Sequence, residues 1–332
     1  MFRQIGRFIK GEYPIPFILY KLHTKKSVIG KRFPRKMYRF FSTEKYNKLN
    51  DYSIINLETY DGLDQVTHPS VVEYNNNYIL AVTPFPYGND RYENPCLYIS
   101  NDGETFSRIS NAQPLVYPRT HAGLVYLSDP FLYVRDNRLR LLYRECVYSD
   151  DKNYDAFIYE MHTNDLVNWS TPCEIMRCAR GAMSPTVLND GAIDFLYYVE
   201  FFGDGTRLLK RRIEDGAECE IRVDGIPSGM MLWHLDFLSY RTESYGLFTL
   251  SINHSGDGAR TFWAVKRSDG SWILCNEIKL ADDSVITKTY KSCAIPQQDE
   301  VLLYVSVRRK DRKWQVYSKK LKPEQEIYRT DK

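Results

Sequence analysis

This chain of 332 residues contains none of the short motifs that settle a chemistry at once. It has no phosphate loop, no dinucleotide fingerprint and no GxSxG elbow, which sets aside P-loop, Rossmann and α/β-hydrolase chemistry. Long apolar runs are missing too. The most apolar stretch near the amino terminus, Ile15-Pro-Phe-Ile-Leu-Tyr20, is short and interrupted by Pro16. Neither a signal peptide nor a membrane span is expected, and the expected location is cytoplasmic. The seven cysteines form no CxxC pair, and reduced, buried thiols are the expectation. Histidine is scarce, with six residues and no HxH or HExxH spacing. No metal and no cofactor is assigned on that basis.

What the chain does have is a repeated hairpin. Tyr126 to Glu145 reads as two antiparallel strands around a tight turn at Asp136-Asn137, and the same plan recurs elsewhere. Taking His68, Asp129, Ser184, His234 and Cys293 as equivalent points, the steps are 61, 55, 50 and 59 residues. Five copies of an all-β unit at this period predict a five-bladed β-propeller. Turn signals before an aromatic, Ser100-Asn-Asp-Gly to Phe106, Thr163-Asn-Asp to Trp169 and Arg267-Ser-Asp-Gly to Trp272, mark the outer hairpins. They read as turns, not metal loops. Blades are expected at 60–115, 116–177, 178–228, 229–283 and 284–325, with Tyr52 to Glu58 as an extra strand closing the ring on the last blade.

Charge divides the chain. Net charge is +3, yet residues 1–50 hold 13 Lys and Arg against two acidic residues, leaving the rest net acidic. The domain plan is therefore a basic N-terminal extension at 1–50, a propeller at 51–325 and a tail at 326–332. Phe2, Ile5, Phe8 and Ile9 fall near helical spacing. The extension is either a strap along the propeller or an anchor for an anionic membrane surface, peripheral to the bilayer. With the charge excess outside the propeller, nucleic acid is not an expected partner.

Propeller topology gathers the inner-strand starts and the loops after the second strands on one face. Candidate catalytic carboxylates there are Asp129, Glu145, Glu200 and Glu93. Candidate substrate contacts are His68, His234, Asp236, Tyr87, Arg144, Arg207, Arg260 and Arg308. Carboxylates, arginines and exposed aromatics around one funnel suit a sugar ring and its hydroxyls.

The blade openings His68-Pro69, Ser128-Asp129-Pro130 and Ser184-Pro185, with the hydrophobic-aromatic strands after them, resemble the five-bladed propellers of glycoside hydrolase families 43 and 32, over about residues 60–320. The strings Thr83-Pro-Phe-Pro-Tyr87 and Glu93-Asn-Pro95 also resemble uncharacterised propellers of phages and bacterial surface-polysaccharide loci. The family resemblance implies an Asp before Pro in the first blade as base or nucleophile, an assisting Asp, and a Glu in a later blade as acid. Asp129 fits the assisting position. His68 stands where the first Asp is expected, and Met183-Ser184 where a Glu is. Two functions stay open: a hydrolase-like enzyme acting on a glycosidic linkage, with a glycan as substrate, and a non-catalytic glycan-binding or assembly protein in surface-polysaccharide synthesis.

Overall fold

In a computed structural model, residues 48–49, 51–109, 125–148, 154–178, 181–190, 193–280 and 286–327 are described. The basic extension and the end of the tail lie outside the described residues, except for Lys48–Leu49. The helix and membrane anchor expected at the amino terminus therefore fall outside them as well.

Five antiparallel sheets follow one another along the chain. After β1 (Lys48–Leu49) and β2 (Tyr52–Ile55), blade one is β3 (Val66–Tyr74), β4 (Asn77–Pro84), β5 (Cys96–Ser100) and β6 (Ser107–Arg108). Blade two is β7 (Val125–Arg135), β8 (Arg138–Tyr148), β9 (Tyr154–Thr163) and β10 (Cys173–Cys178). Blade three is β11 (Ala182–Asp190), β12 (Ile193–Phe202), β13 (Gly205–Arg212) and β14 (Glu218–Ile221). The short β15 (Val223–Asp224) crosses to the outer edge of blade four and pairs parallel with β19. Blade four is β16 (Met231–Tyr240), β17 (Glu243–Ser251), β18 (Arg260–Lys266) and β19 (Trp272–Glu277). Blade five is β20 (Ile286–Gln297), β21 (Glu300–Arg309) and β22 (Trp314–Leu321), and its fourth strand is β2, with Ser53 opposite Ser318 and Ile55 opposite Val316. The ring closes as the repeat predicts, by joining the first strand of the propeller to the last blade. Closure hides sheet edges that would otherwise template aggregation.

Five apolar cores hold the disc together, one at each blade interface. Blades one and two share Leu127, Leu139, Ile79 and Tyr143; blades five and one share Leu80, Val82, Tyr304 and Val316. Blades two and three, three and four, and four and five pack in the same way. Because both faces of each sheet are covered, strands such as that holding Val301 to Val305 read as continuous apolar runs. The Asp-Gly signals are turns. Asp102 accepts the backbone N–H groups of Glu104 and Thr105, and Asp165 those of Val167 and Asn168. Gly103 must be glycine, since its φ is +76° and a Cβ would lie 2.7 Å from the Leu302 side chain of blade five. No helix among the described residues is long and apolar enough to cross a membrane.

The link from β2 to β3 carries a buried carboxyl, Asp61, which accepts from the Thr59 hydroxyl and from Leu63 N–H at 3.3 Å. Burial pushes its pKa up to about 6. The folded state therefore holds this proton more tightly than the unfolded chain, so stability falls as pH rises from about 4 to about 6. Asp61→Asn, which cannot ionise, is expected to stabilise the protein at pH 7 and to gain little at pH 4. Urea denaturation at the two pH values checks this; an equal effect at both would contradict it.

Candidate active site

Each inner strand breaks register where it meets the axis. In the first three blades the break is an X-Pro pair: the β3 ladder skips between Thr67 and Ser70, β7 between Ser128 and Phe131, and β11 between Met183 and Thr186. Proline has no N–H for the ladder, so it fits a bulge. The residue before it takes the left-handed region, with φ of +53° at His68, +49° at Asp129 and +55° at Ser184. Non-glycine residues there are strained by about 1–3 kcal/mol each. Three repetitions on one axis make the position a candidate site. Blade four bulges between Leu232 and His234, and blade five between Thr289 and Ser292, enclosing Tyr290-Lys291. The fifth opening is thus Tyr290-Lys291, a little before the Ser292-Cys293 that the spacing suggested.

Asp129 lies at the centre and is completely buried. Its Oδ2 is 3.1 Å from Arg144 Nη2 and accepts the Ser184 N–H at 3.3 Å. Its Oδ1 lies 3.3 Å from His68 Nε2 and 3.4 Å from His234 Nδ1. Burial alone would raise the Asp129 pKa, but the positive charge of Arg144, with that of Lys291 adding to it, outweighs burial and holds the carboxyl well below the usual range. Both imidazoles move the other way. Burial drives His68 down to about 3 and His234 well below its ordinary value, Asp129 opposing and Lys291 and Arg144 adding to the shift. At neutral pH the group is one carboxylate between two neutral imidazoles.

Neither imidazole–carboxylate contact has hydrogen-bond geometry. His68 Nε2, His234 Nδ1 and Asp129 Oδ1 are buried and without a hydrogen-bond partner, and one donor atom from each residue lies within 4.8 Å of the others. Nitrogens of two neutral imidazoles and the oxygen of one ionised carboxylate fit a divalent ion such as Zn²⁺ or Mn²⁺. The second nitrogen of His68 is held by the Thr83 hydroxyl at 2.9 Å, which orients the ring as such ligands require. The repeat puts all three at blade openings, but no local ligand motif marks them, because they come from three blades, 61 and 105 residues apart.

Above the group opens a cavity of about 930 Å³. Glu93 sits in its wall, buried, hydrogen-bonded to the Ser128 side chain, while its Oε2 lies 3.8 Å from His68 Nδ1 and has no hydrogen-bond partner. Burial, reinforced by the nearby charge of Asp129, raises its pKa well above the ordinary value. One side of the cavity is aromatic, with Phe201 edge-on to His254 at 4.7 Å and near Trp233 at 6.0 Å. The other carries Asp90, Tyr126 and Tyr148, the Tyr148 hydroxyl donating to Asp90 at 3.3 Å. Tyr290 lines the cavity as well, and its hydroxyl accepts the Trp233 indole N–H at 3.0 Å.

Of the residues expected from sequence, His68, His234, Glu93 and Arg144 line the cavity and Asp129 lies beneath it. Others are elsewhere. Glu145 follows Arg144 on β8, so it points to the opposite face of the sheet, where it is buried. Glu200 is held by Arg207 through two contacts of 2.7 and 2.6 Å, and neither residue lines the cavity. Arg260 pairs with Glu277 at 3.2 Å beside a second cavity between blades four and five. Arg308 donates to Thr287 at 2.9 Å. Tyr87 is buried in the turn after β4, its N–H on Gln65. Asp236 is buried below His234, where burial, opposed by Lys291, pushes it up to about 7. Sequence reasoning missed Tyr290, Trp233, Phe201 and His254. Trp233 and Tyr290 occupy bulges without proline, and only the loss of alternation could have flagged them.

No family model matches the chain, and no curated protein does. Solved structures match in fold. An N-acetylgalactosamine deacetylase from F. plautii in complex with blood group B trisaccharide aligns at a TM-score of 0.64 and 15% identity, over 77% of this chain and 89% of that one. A thermostable family-43 glycoside hydrolase aligns at 0.60 and 12% identity, over 77% and 89%. The Bombyx mori family-32 β-fructofuranosidase aligns at 0.60 and 13% identity, over 87% and 67%. The chain is a five-bladed β-propeller with the arrangement of the family-43 and family-32 glycoside hydrolases.

Two measurements probe the axis. Calorimetric titration of the metal-free chain with Mn²⁺ or Zn²⁺ should show one site, weakened more than about tenfold by His234→Ala or His68→Ala and unchanged by Glu200→Gln. No binding of either ion by the wild type would remove the metal site. Arg144→Met should destabilise by about 3–5 kcal/mol, because it strands the Asp129 charge in the interior. A loss under 1 kcal/mol in denaturant titration would show that the carboxylate does not depend on it.

Proposed function

We propose that this protein is a carbohydrate-active hydrolase that takes a glycan into the axial cavity and removes an acyl substituent from a sugar, using a divalent cation held by His68, Asp129 and His234. The observation that carries this is the convergence of three unpartnered ligand atoms beneath an aromatic-walled cavity whose wall holds the buried Glu93 carboxyl. The deacetylase among the fold neighbours was crystallised with a trisaccharide, which adds support to this substrate class.

A cation so held supplies Lewis acidity toward a carbonyl oxygen and acidifies water. Phe201 and Trp233 offer flat apolar faces for the C–H side of a sugar ring. Asp129, immobilised by Arg144 and the Ser184 N–H, keeps two imidazoles facing the cavity. Glu93 takes a proton from the attacking water and returns it to the leaving nitrogen or oxygen, the work for which a raised carboxyl pKa is suited.

Cleavage of a glycosidic linkage is a second possibility. It is favoured by the opposite displacement of the Asp129 and Glu93 titrations, the mark of an acid–base pair. Against it, such a reaction needs two carboxyls flanking the scissile bond. Asp129 is fully buried, Glu145 and Glu200 do not line the cavity, and Asp90, which does, is engaged by the Tyr148 hydroxyl. Glycan binding without turnover is the third outcome to separate.

Acetate release from acetylated mono- and oligosaccharides, and reducing-end release from unmodified ones, should be measured with and without chelator. Chelator-sensitive acetate release is expected, with Glu93→Gln lowering kcat by about 10²–10⁴. Because Glu93 must be ionised to act as base, its raised pKa should move the acid limb of kcat/KM upward, activity falling as pH drops through it. Reducing ends released despite chelator would establish the glycosidase instead. Tight binding with neither product would leave a lectin-like role.

A further inference from the structure

We infer that the hydroxyl of Tyr290 is a catalytic hydrogen-bond donor to the oxyanion formed when the acyl carbonyl is attacked. This rests on the deacylation proposed above. Tyr290 occupies the bulge of the fifth inner strand, the place that His68, Asp129 and Ser184 occupy in the first three blades. Its main chain is pinned there: the Tyr290 carbonyl oxygen accepts the hydroxyls of Thr249 at 3.0 Å, Thr261 at 3.0 Å and Ser292 at 3.2 Å. Its ring packs edge-on to His234, centroids 4.4 Å apart, and lies 5.3 Å from His68 and 5.1 Å from Trp314.

A phenol has one hydrogen to give and lone pairs to receive. Here the acceptor side is filled by the Trp233 indole N–H at 3.0 Å, and among the described residues no group accepts the Tyr290 hydrogen. The phenol lines the cavity beside two of the ligand imidazoles, so that hydrogen is left for a bound molecule. Donation from Trp233 also polarises the phenol and makes it a better donor. The neighbouring cations are already engaged. Arg144 is spread over Asp129, Ser128 and the Ala182 carbonyl, and Lys291, fully buried, holds the Pro130 carbonyl at 3.0 Å.

In the step assigned, water oxygen bonds to the acyl carbon and the carbonyl π pair moves onto its oxygen, while Glu93 takes the water proton. That oxyanion accepts the Tyr290 hydrogen bond. The pair then returns to re-form C=O, the bond from carbon to the sugar nitrogen or oxygen breaks, and Glu93 delivers its proton to the leaving atom. Substrate and water are consumed, and acetate and the free amine or hydroxyl are produced. A rigid donor aimed at charge that appears only in the transition state does not have to reorganise during reaction.

The experiment compares wild type with Tyr290→Phe, which removes one oxygen and keeps the ring. For acetate release, kcat should fall about 10²–10³-fold with KM little changed. Calorimetry supplies the reading independent of turnover. Affinity for a methylphosphonate analogue of the acetylated sugar should weaken by about tenfold or more, while affinity for the deacetylated sugar and the Mn²⁺ stoichiometry stay as in wild type. If the orphaned indole N–H unfolds the single variant, Trp233→Phe with Tyr290→Phe removes both partners and is compared with Trp233→Phe alone. Equal analogue affinity in variant and parent would overturn the role of Tyr290 and leave deacylation standing. A wild type that releases no acetate and does not prefer the analogue would overturn both.

Discussion

One buried negative charge organises this molecule. All five blades meet at Asp129 and its neighbour Pro130: His68 from the first, Arg144 from the second, the Ser184 N–H from the third, His234 from the fourth and Lys291 from the fifth. An isolated carboxylate in such a place would take up a proton rather than stay ionised. Here burial is outweighed by the surrounding positive charge. The ionised Asp129 therefore depends on the closed ring, and the inner ends of the blades are fixed in turn by what that carboxylate attracts.

Closure and site are consequently one problem. β2 completes blade five, which carries Tyr290 and Lys291, and the segment after β2 reaches the wall of the cavity, where the Tyr60 hydroxyl bonds the Tyr92 carbonyl next to Glu93. The interface cores are apolar and supply the cohesion, while the axis is polar, strained at three positive-φ residues and incompletely hydrogen-bonded. Strain and unsatisfied polar groups persist where surrounding structure over-determines them. A disc held at five interfaces over-determines its centre.

Much of this was legible in the chain. A period of 50–60 residues, alternating strands and Asp-Gly turns depend on near neighbours, so blade number, blade order and the closing strand at Tyr52 could be read directly. The X-Pro pairs at 69, 130 and 185 also marked three of the five openings, because a missing N–H disrupts a ladder wherever it falls. Which carboxyls face one another was not legible. Glu145 and Glu200 stand at promising strand ends, yet the parity of β8 turns Glu145 away from Arg144, and the register that sets Glu200 opposite Arg207 consumes both.

The sequence by itself determined the repeat, the fold class and the face on which chemistry should lie, since each follows from interactions local along the chain. The repeat brought His68, Asp129 and His234 to one axis; tertiary structure alone decided that their ligand atoms come within 4.8 Å, that Glu93 rather than Glu200 lines the cavity, and that Tyr290 opens the fifth blade. Those outcomes depend on where each ladder slips and on how the closed ring turns the blade starts toward one another. Distances of a few ångströms between residues 61 to 222 positions apart are set by packing around the axis, and no local pattern encodes them.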